Sequence, residues 1–568
     1  MRIFLLFGVM GFCVSLNAQN PLFIPDTLAG PNYNLTMHRD SVPFFPGNIS
    51  HTYAFNANHY LGPTLIMNKG ASVNITVNNQ IDDTTTVHWH GLHVPSVWDG
   101  GPYSIILPNT SWNPQFTVMN DAATYWYHPH PDMKTAEQAI KGAAGLIIVR
   151  DNVESALSLP RKYGVDDFPV VVQCQQYDSL NQAMPRGMED STLLVNGTMN
   201  PYLDAPAQVV RLRLLNASGE RAFNFGFTNN MQFYMIASDG GLLNAPFQTT
   251  RIRLAPGERA EVLLDLSGMN GQSFYLMSYA SELPMGTQGG PTMPMPPWAP
   301  PMDSPLNGID FNIMVINVVP QTTNPVTTIP STLTTVTPWP VAQVNAQRKI
   351  HFTADSVMVM DGPFYFNDST FNMMRIDYTI PLNSIETWTL VNQTMVAHPF
   401  HIHDVEFYVI DRNGMAPGPE EAGKKDVVLV QPNDSVTFIT KFTDFADTTI
   451  PYMFHCHILM HEDDGMMGQF VVSPNAVGVS ENEAAPGQLQ LYPNPVSGEL
   501  SVILDQHEQP SKASIMVYNS LGQLVYSSSS SAQFFKLDTQ SWNNGIYYIT
   551  VVQGEKISRQ KFVVNHLN

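Results

Sequence analysis

Eight of the 17 histidines in this 568-residue chain fall into four His-x-His pairs: His88/His90, His128/His130, His401/His403 and His455/His457. Side chains alternate along a strand, so the two imidazoles of such a pair share a face. Neutral imidazole suits copper, zinc or nickel, and eight rings serve three ions if two take three nitrogens each and the third takes two. The count alone does not choose the metal. Cys456 does. It stands between His455 and His457 and points to the opposite face, where His398, His461 and Met466 can complete a two-histidine, one-cysteine set with a weak axial thioether. That set is the electron-transfer blue copper; Met467 is a rival for the axial place. A metal-held thiolate is deprotonated by the ion and is no longer a free nucleophile. One covalent step joins Cys456 to each neighbouring histidine, which wires a one-electron site to a multi-ion cluster. Such wiring serves a reaction that collects electrons singly and delivers four together.

Three related segments must position these residues. Ala71–Asn79, Gln208–Asn216 and Ile385–Asn392 are period-2 strands ending in Asn, and each is followed downstream by a Pro turn: Leu107-Pro108-Asn109, Ala255-Pro256-Gly257 and Gln431-Pro432-Asn433. The first copy carries His88-Trp89-His90 and His128-Pro129-His130; the third carries His398 to His403 and His455-Cys456-His457. At the same places the middle copy has Arg221 to Phe225 and Ser278-Tyr279-Ala280. The metal chemistry therefore belongs between copies one and three, with copy two as a spacer. His93 is placed on the other face from His90 and is not counted as a ligand. It and His38, His51, His59, His351, His507 and His566 take solvated or hydrogen-bonded surface roles.

The length calls for three or four domains. Charged residues are only 13% while aromatic and β-branched residues are plentiful, which favours an all-β chain, and the three turn prolines stand 148 and 176 residues apart, the spacing of similar β-sandwich domains with loop insertions. The expected order is a signal peptide at 1–18, sandwiches at 19–160, 161–330 (without copper) and 331–475, a linker at 476–488 and a small β-sandwich at 489–568. Arg2, the apolar run Ile3–Cys13 and Ala18 before Gln19 carry the signal-peptide reading, and no other stretch is apolar and long enough to span a membrane. Cys174 reads as a buried small residue. Val319–Pro340 reads as an extended Pro- and Thr-rich linker, and Pro284–Pro305 as a loop holding Met285, Met293, Met295 and Met302. A net charge of −21 with only 27 Lys and Arg removes the electrostatic footprint expected for nucleic acid.

His88-Trp-His-Gly91, Tyr127-His-Pro-His130, His398-Pro-Phe-His-Ile-His403 and the run from His455 to Met466 together resemble the motifs of three-domain multicopper oxidases, the family of laccases and bacterial cuprous oxidases. The resemblance covers about residues 30 to 475. It implies cupredoxin-like domains holding four coppers: His398, Cys456, His461 and Met466 at type 1; His88 and His401 at type 2; His90, His128 and His457 at one type 3 ion; His130, His403 and His455 at the other. It implies reduction of O2 to water at the cluster. Asp99 and Glu462 resemble the family's proton-relaying carboxylates, with a turn cap as the plainer role for Asp99. The expected donor is a phenol, with Cu(I) as the alternative. Cuprous oxidases carry Asp and Met just before the third motif, where Gln393-Thr394-Met395-Val396-Ala397 stand here, although Met358, Met360, Met373, Met374 and the Met-Pro loop offer thioethers. A nitrite reductase lacks type 3 ligation, and a copper carrier without turnover needs no relay acids. The last 80 residues, with Leu491-Tyr-Pro-Asn-Pro495, Leu521-Gly-Gln523 and Asn544-Gly-Ile-Tyr547, resemble the sorting domain of the Bacteroidetes type IX secretion machinery. That implies passage across the outer membrane to a secreted or cell-surface place. A monomer is expected.

Overall fold

The computed structural model describes residues 19–56, 60–187, 189–292, 304–356, 359, 361–474, 489–503, 513–519, 523–530, 534–553 and 556–566. The expected signal peptide, the 476–488 linker, His59, His507, Met293, Met295, Met302, Met358 and Met360 lie outside these residues. The chain forms two compact units, residues 1–476 and 477–568.

The first unit is all-β apart from short helical turns. Its strands make six sheets that face one another as three sandwiches. Each sandwich has its own apolar core: around Leu35, Val77 and Tyr127 in the first, Leu212, Phe225 and Val262 in the middle one, and Trp388, Phe400 and Phe438 in the third. The second unit packs Val502, Ile515 and Phe562 between a three-stranded and a four-stranded sheet. No helix among the described residues is long and apolar enough to cross a membrane.

The Asn-ended strands have a common physical logic. Ser72–Asn79 alternates so that Val73, Ile75 and Val77 face the core. At its end, Asn79 accepts the amide of Ile81 through Oδ1 at 3.0 Å and donates Nδ2 to Ile106 O at 2.9 Å. Asn216 repeats both contacts with Ser218 N and Leu254 O, and Asn392 repeats them with Thr394 N and Val430 O. In each copy the side chain turns the backbone after the strand and pins it to the carbonyl two residues before the proline of the Pro turn. The strands launched from these turns include His88–His90 and His398–Ile402, so the motif that punctuates the sequence also aims the histidines.

Two connections depart from expectation. Asn20–Pro21 pairs with Pro201–Tyr202, so the N-terminal strand joins a sheet of the middle sandwich and not of the first. The 320–340 segment is extended as expected but is strapped down: Leu333 is buried and donates its amide to Asn244 O at 2.9 Å. Between the first and middle sandwiches lies a buried ionic network in which Arg211 meets Glu154 at 2.8 Å and Arg213 meets Asp167 at 2.7 Å. Every charge there has a partner, the condition under which buried ions are tolerated.

Candidate metal centre

The paired histidines meet at the seam of the first and third sandwiches. His90 stacks on His401 with ring centroids 3.8 Å apart, and His88 stacks on His403 at the same distance. All eight rings are at most 1% exposed. Their nitrogens converge in three sets, His88/His90/His401, His90/His128/His457 and His130/His403/His455, the atoms of each set lying within 4.8 Å of one another. His130 Nε2 lies 3.1 Å from His455 Nε2, His403 Nε2 lies 3.3 Å from the same atom, and His128 Nε2 lies 3.4 Å from His90 Nδ1. Where each ring carries its proton on the outward nitrogen, the inward nitrogens of these pairs face each other lone pair to lone pair. His88 Nε2, His401 Nε2 and both nitrogens of His457 are buried without a hydrogen-bond partner. Each such orphan costs about 1–3 kcal/mol. A cation shared by these nitrogens removes that cost, so the donor set fits resident metal.

Six of the outer nitrogens are tied down. His88 Nδ1 meets Asp99 O at 2.9 Å, His403 Nδ1 meets Asp99 Oδ2 at 2.7 Å, and His401 Nδ1 meets Asp426 O at 2.8 Å. His128 Nδ1 meets Pro129 O at 2.8 Å, His455 Nδ1 meets Cys456 O at 3.0 Å, and His90 Nε2 meets Asp426 Oδ1 at 3.0 Å. An N–H given outward fixes the tautomer that leaves the inward lone pair free for a metal. Glu462 spans the remaining side, its Oε1 3.3 Å from His130 Nδ1 and its Oε2 3.2 Å from His455 Nδ1. Burial, reinforced in most cases by the neighbouring imidazoles, holds His90, His128, His130, His401, His455 and His457 far below the usual histidine range, and His403 at about 4. These rings are therefore neutral, the ligating form. His88, Asp99 and His403 also form a close group, but there the carboxylate bridges outward nitrogens and no further metal nest is implied.

Cys456 ends the strand Asp447–Cys456 and points away from this nest into the third core. Its Sγ lies 3.5 Å from His398 Nδ1 and 3.6 Å from His461 Nδ1. Phe364 packs on both imidazoles, at 4.7 and 4.6 Å. His398 Nε2 is held by Thr394 Oγ1 at 2.9 Å. Burial pushes the Cys456 thiol up and His461 down to about 3, so a thiolate here requires a cation beside it. Met466 is fully buried in the same cluster as Cys456 and accepts the Cys456 amide at 3.0 Å. Met467 lies opposite His455 in the sheet and outside that cluster. The helix Leu459–Asp463 returns His461 to the thiol while its next residue, Glu462, reaches the nest.

Multicopper oxidase family models match residues 41–154, 169–292 and 342–476, and a secretion system C-terminal sorting domain model matches 490–565. The multicopper oxidase mco of Staphylococcus haemolyticus is 35% identical over 451 residues, covering 78% of this chain and 88% of that protein. The chain belongs to the multicopper oxidase family. The cell division protein FtsP of Escherichia coli is 30% identical over 464 residues, covering 80% of this chain and 93% of its own. Among solved structures, a laccase-like multicopper oxidase CueO from Ochrobactrum sp. aligns with a TM-score of 0.70 at 31% identity, over 80% of this chain and all of that one. The McoA multicopper oxidase of Aquifex aeolicus aligns with a TM-score of 0.70 at 28% identity and the same coverage. The three sandwiches are thus cupredoxin-like, and the all-β expectation holds.

In this multicopper oxidase the ten candidate histidines and Cys456 fall into four close groups, His88/His90/His401, His90/His128/His457, His130/His403/His455 and His398/Cys456/His461. Asp99 and Glu462 both stand behind them. The carboxylate of Asp99 engages His403, so it is more than a turn cap. His93 corrects the sequence reading. The strand ends at His90, and beyond the Gly91 turn His93 places Nδ1 2.8 Å from Asp404 Oδ1 and Nε2 3.1 Å from Asp444 Oδ2, bridging the first and third sandwiches. The spacer reading of the middle copy also needs correction. Its Gly257 lies where an added Cβ would meet the His457 ring at 2.9 Å, and its Arg259 forms a fork with Asp426, the carboxylate that holds His90. Asp426 and Arg259 had no motif to announce them.

Proposed function

We propose that the chain is a copper-dependent oxidase that takes electrons one at a time from a phenolic donor, in the manner of a laccase, and reduces O2 to water. The observation that carries this reading is a buried nest of eight inward-aimed imidazoles joined by one peptide unit on either side of Cys456 to a thiolate site. His398, Cys456, His461 and Met466 would hold a type 1 ion; His88 and His401 a type 2 ion; His90, His128 and His457 one type 3 ion, and His130, His403 and His455 the other. When bound, the four coppers supply one-electron uptake at the thiolate site and multi-electron O2 chemistry in the nest. The chain's own contribution is placement and protons. The Cys456 to His455 and His457 links give a covalent path from one site to the other. Glu462 is pushed well up by burial and by Asp463, which favours the protonated form of its carboxyl. Burial acts to raise Asp99, but His403 and His88 hold it below the carboxylate range, which makes it an acceptor beside the same nest. The pair is suited to pass the four protons that O2 needs.

Cu(I) is the second donor to consider, because Arg186 pairs with Asp361 at 3.0 Å and Asp464 at 2.7 Å, close enough to His461 to add to the lowering that burial imposes on it. Two carboxylates against one guanidinium leave a net negative charge there, which suits a cationic donor. The N-terminal leader and the sorting domain fit export through the type IX machinery to a secreted or surface place, and the catalytic unit is expected to act as a monomer. Oxygen uptake by the copper-loaded chain, compared with a phenol and with Cu(I), is the test. Faster turnover of the phenol supports the laccase-like reading. A blue protein that consumes no oxygen with any donor is a carrier, and the oxidase reading is then lost.

A further inference from the structure

The middle sandwich has no histidine where its neighbours carry ligands, yet one of its side chains reaches the nest. Arg259 opens the strand Arg259–Asp265, two residues beyond the Gly257 turn, and is fully buried. All five of its N–H groups have acceptors. Nε donates to Thr124 O at 3.0 Å, Nη1 to Gly257 O at 3.1 Å and Asp426 Oδ1 at 2.6 Å, and Nη2 to Asp239 O at 3.1 Å and Asp426 Oδ2 at 2.6 Å. These acceptors come from all three sandwiches. Thr124 begins the strand that ends in His128. Asp426 gives its Oδ1 to His90 and its main-chain oxygen to His401, and those two rings are stacked within 7° of parallel. The other supports of Asp426 are long: its own amide and that of Val427 reach Asp239 Oδ2 only at 3.4 Å. The Arg259 fork is what sets the angle of this carboxylate.

We propose that Arg259 is a positioning residue for the histidine nest: through Asp426 it fixes the tautomer and tilt of His90 and keeps His401 in register with it. The inference rests on the copper reading given above. A buried carboxylate deprived of its guanidinium fork is no longer held at the angle that meets His90 Nε2, so the acceptor turns away from that ring. The damage is directional. His90 belongs to the His88/His90/His401 and His90/His128/His457 sets and not to His130/His403/His455 or the thiolate site. Loss of Arg259 therefore weakens metal in the first two sets and spares the others.

The test uses full-length, copper-loaded protein: wild type, Arg259→Lys, Arg259→Met and Arg211→Met. Copper retained per chain is followed against a chelator, together with the visible band of the thiolate site and the paramagnetic resonance of the nest copper. Removing an outer support of a ligating histidine lowers metal affinity about tenfold or more. Lysine keeps the charge but cannot form the fork. Both Arg259 variants are expected to release nest copper at about tenfold lower chelator, with an altered nest resonance and an unchanged visible band. Arg211→Met, which removes an equally buried arginine of the same sandwich, should leave nest copper at its wild-type affinity. If Arg259→Met does not fold, Arg259→Lys decides. Wild-type nest affinity and resonance in Arg259→Lys overturn the proposal, as does an equal copper loss in Arg211→Met. Wild-type protein that loads the thiolate site alone overturns the copper-nest reading itself, and the inference falls with it.

Discussion

Replacing His93 by glutamine should remove a pH-dependent clamp between the first and third sandwiches. Burial acts to lower the pKa of His93, but Asp404 and then Asp444 overcome it and push the group up to about 9. Lys441 lies near Asp444, and the Phe445 ring packs on the imidazole at 4.7 Å. An unfolded histidine titrates near about 6.5. The folded value is the higher one, so the stabilisation is fully present below about pH 6.5 and is lost as pH rises through about 9. The difference between these values corresponds to about 3 kcal/mol. The Asp444 side chain is 44% exposed, and solvent screens its share, which brings the figure down to about 1–2 kcal/mol. At roughly 2–4 °C per kcal/mol for a domain of this size, His93→Gln should lower the melting temperature of the metal-free protein by about 2–8 °C near pH 6. The gap should close towards about pH 10, where the wild-type imidazole is neutral as well. Melting of both proteins by near-ultraviolet circular dichroism at fixed salt measures it. A gap that stays constant or widens as pH rises would refute the reasoning.

Three further outcomes are expected. Cys456→Ser should abolish the blue colour and the oxidation of phenol together; steady-state phenol oxidation by that variant would break the assigned electron path. Met466→Leu should raise the type 1 potential while Met467→Leu leaves it unchanged, since only Met466 packs with Cys456; potentiometric titration of the visible band reads both, and the reverse pattern would move the axial ligand to Met467. Gly257→Ala combines a backbone at φ +86° with a Cβ 2.9 Å from His457, so it should cost about 1 kcal/mol or more and lower nest copper while the visible band persists. Copper analysis of the purified variant at the wild-type ratio would contradict this account.

The parts of the site written in local periodicity were legible in advance. The His-x-His spacing and the cysteine between two histidines state which side chains share a face, and the Asn-ended strands and Pro turns state where those faces start. What packing between sandwiches decides was not legible. His93 has its partners 311 and 351 residues away, and nothing near position 93 points to them. Asp426 follows two lysines on the way into an apolar strand and looks like a solvated charge until Arg259, 167 residues away, is seen against it. The middle copy lacks histidines, and from composition a silent copy and a supporting one are indistinguishable. The alternation argument also reached its limit at strand ends. His130, His403 and His457 all lie just past the last strand residue, so their directions come from the turns that follow.

The run from His455 to Glu462 alternates its allegiance: residues 455, 457 and 462 face the nest, while 456 and 461 face the thiolate site. One inserted or deleted residue there displaces ligands of both centres together. The two centres are therefore inherited as a single block. Drift in the backbone of this stretch cannot adjust one centre and leave the other alone, so a lineage tunes them through neighbours such as Thr394, Phe364 or Arg259, or else forfeits both together.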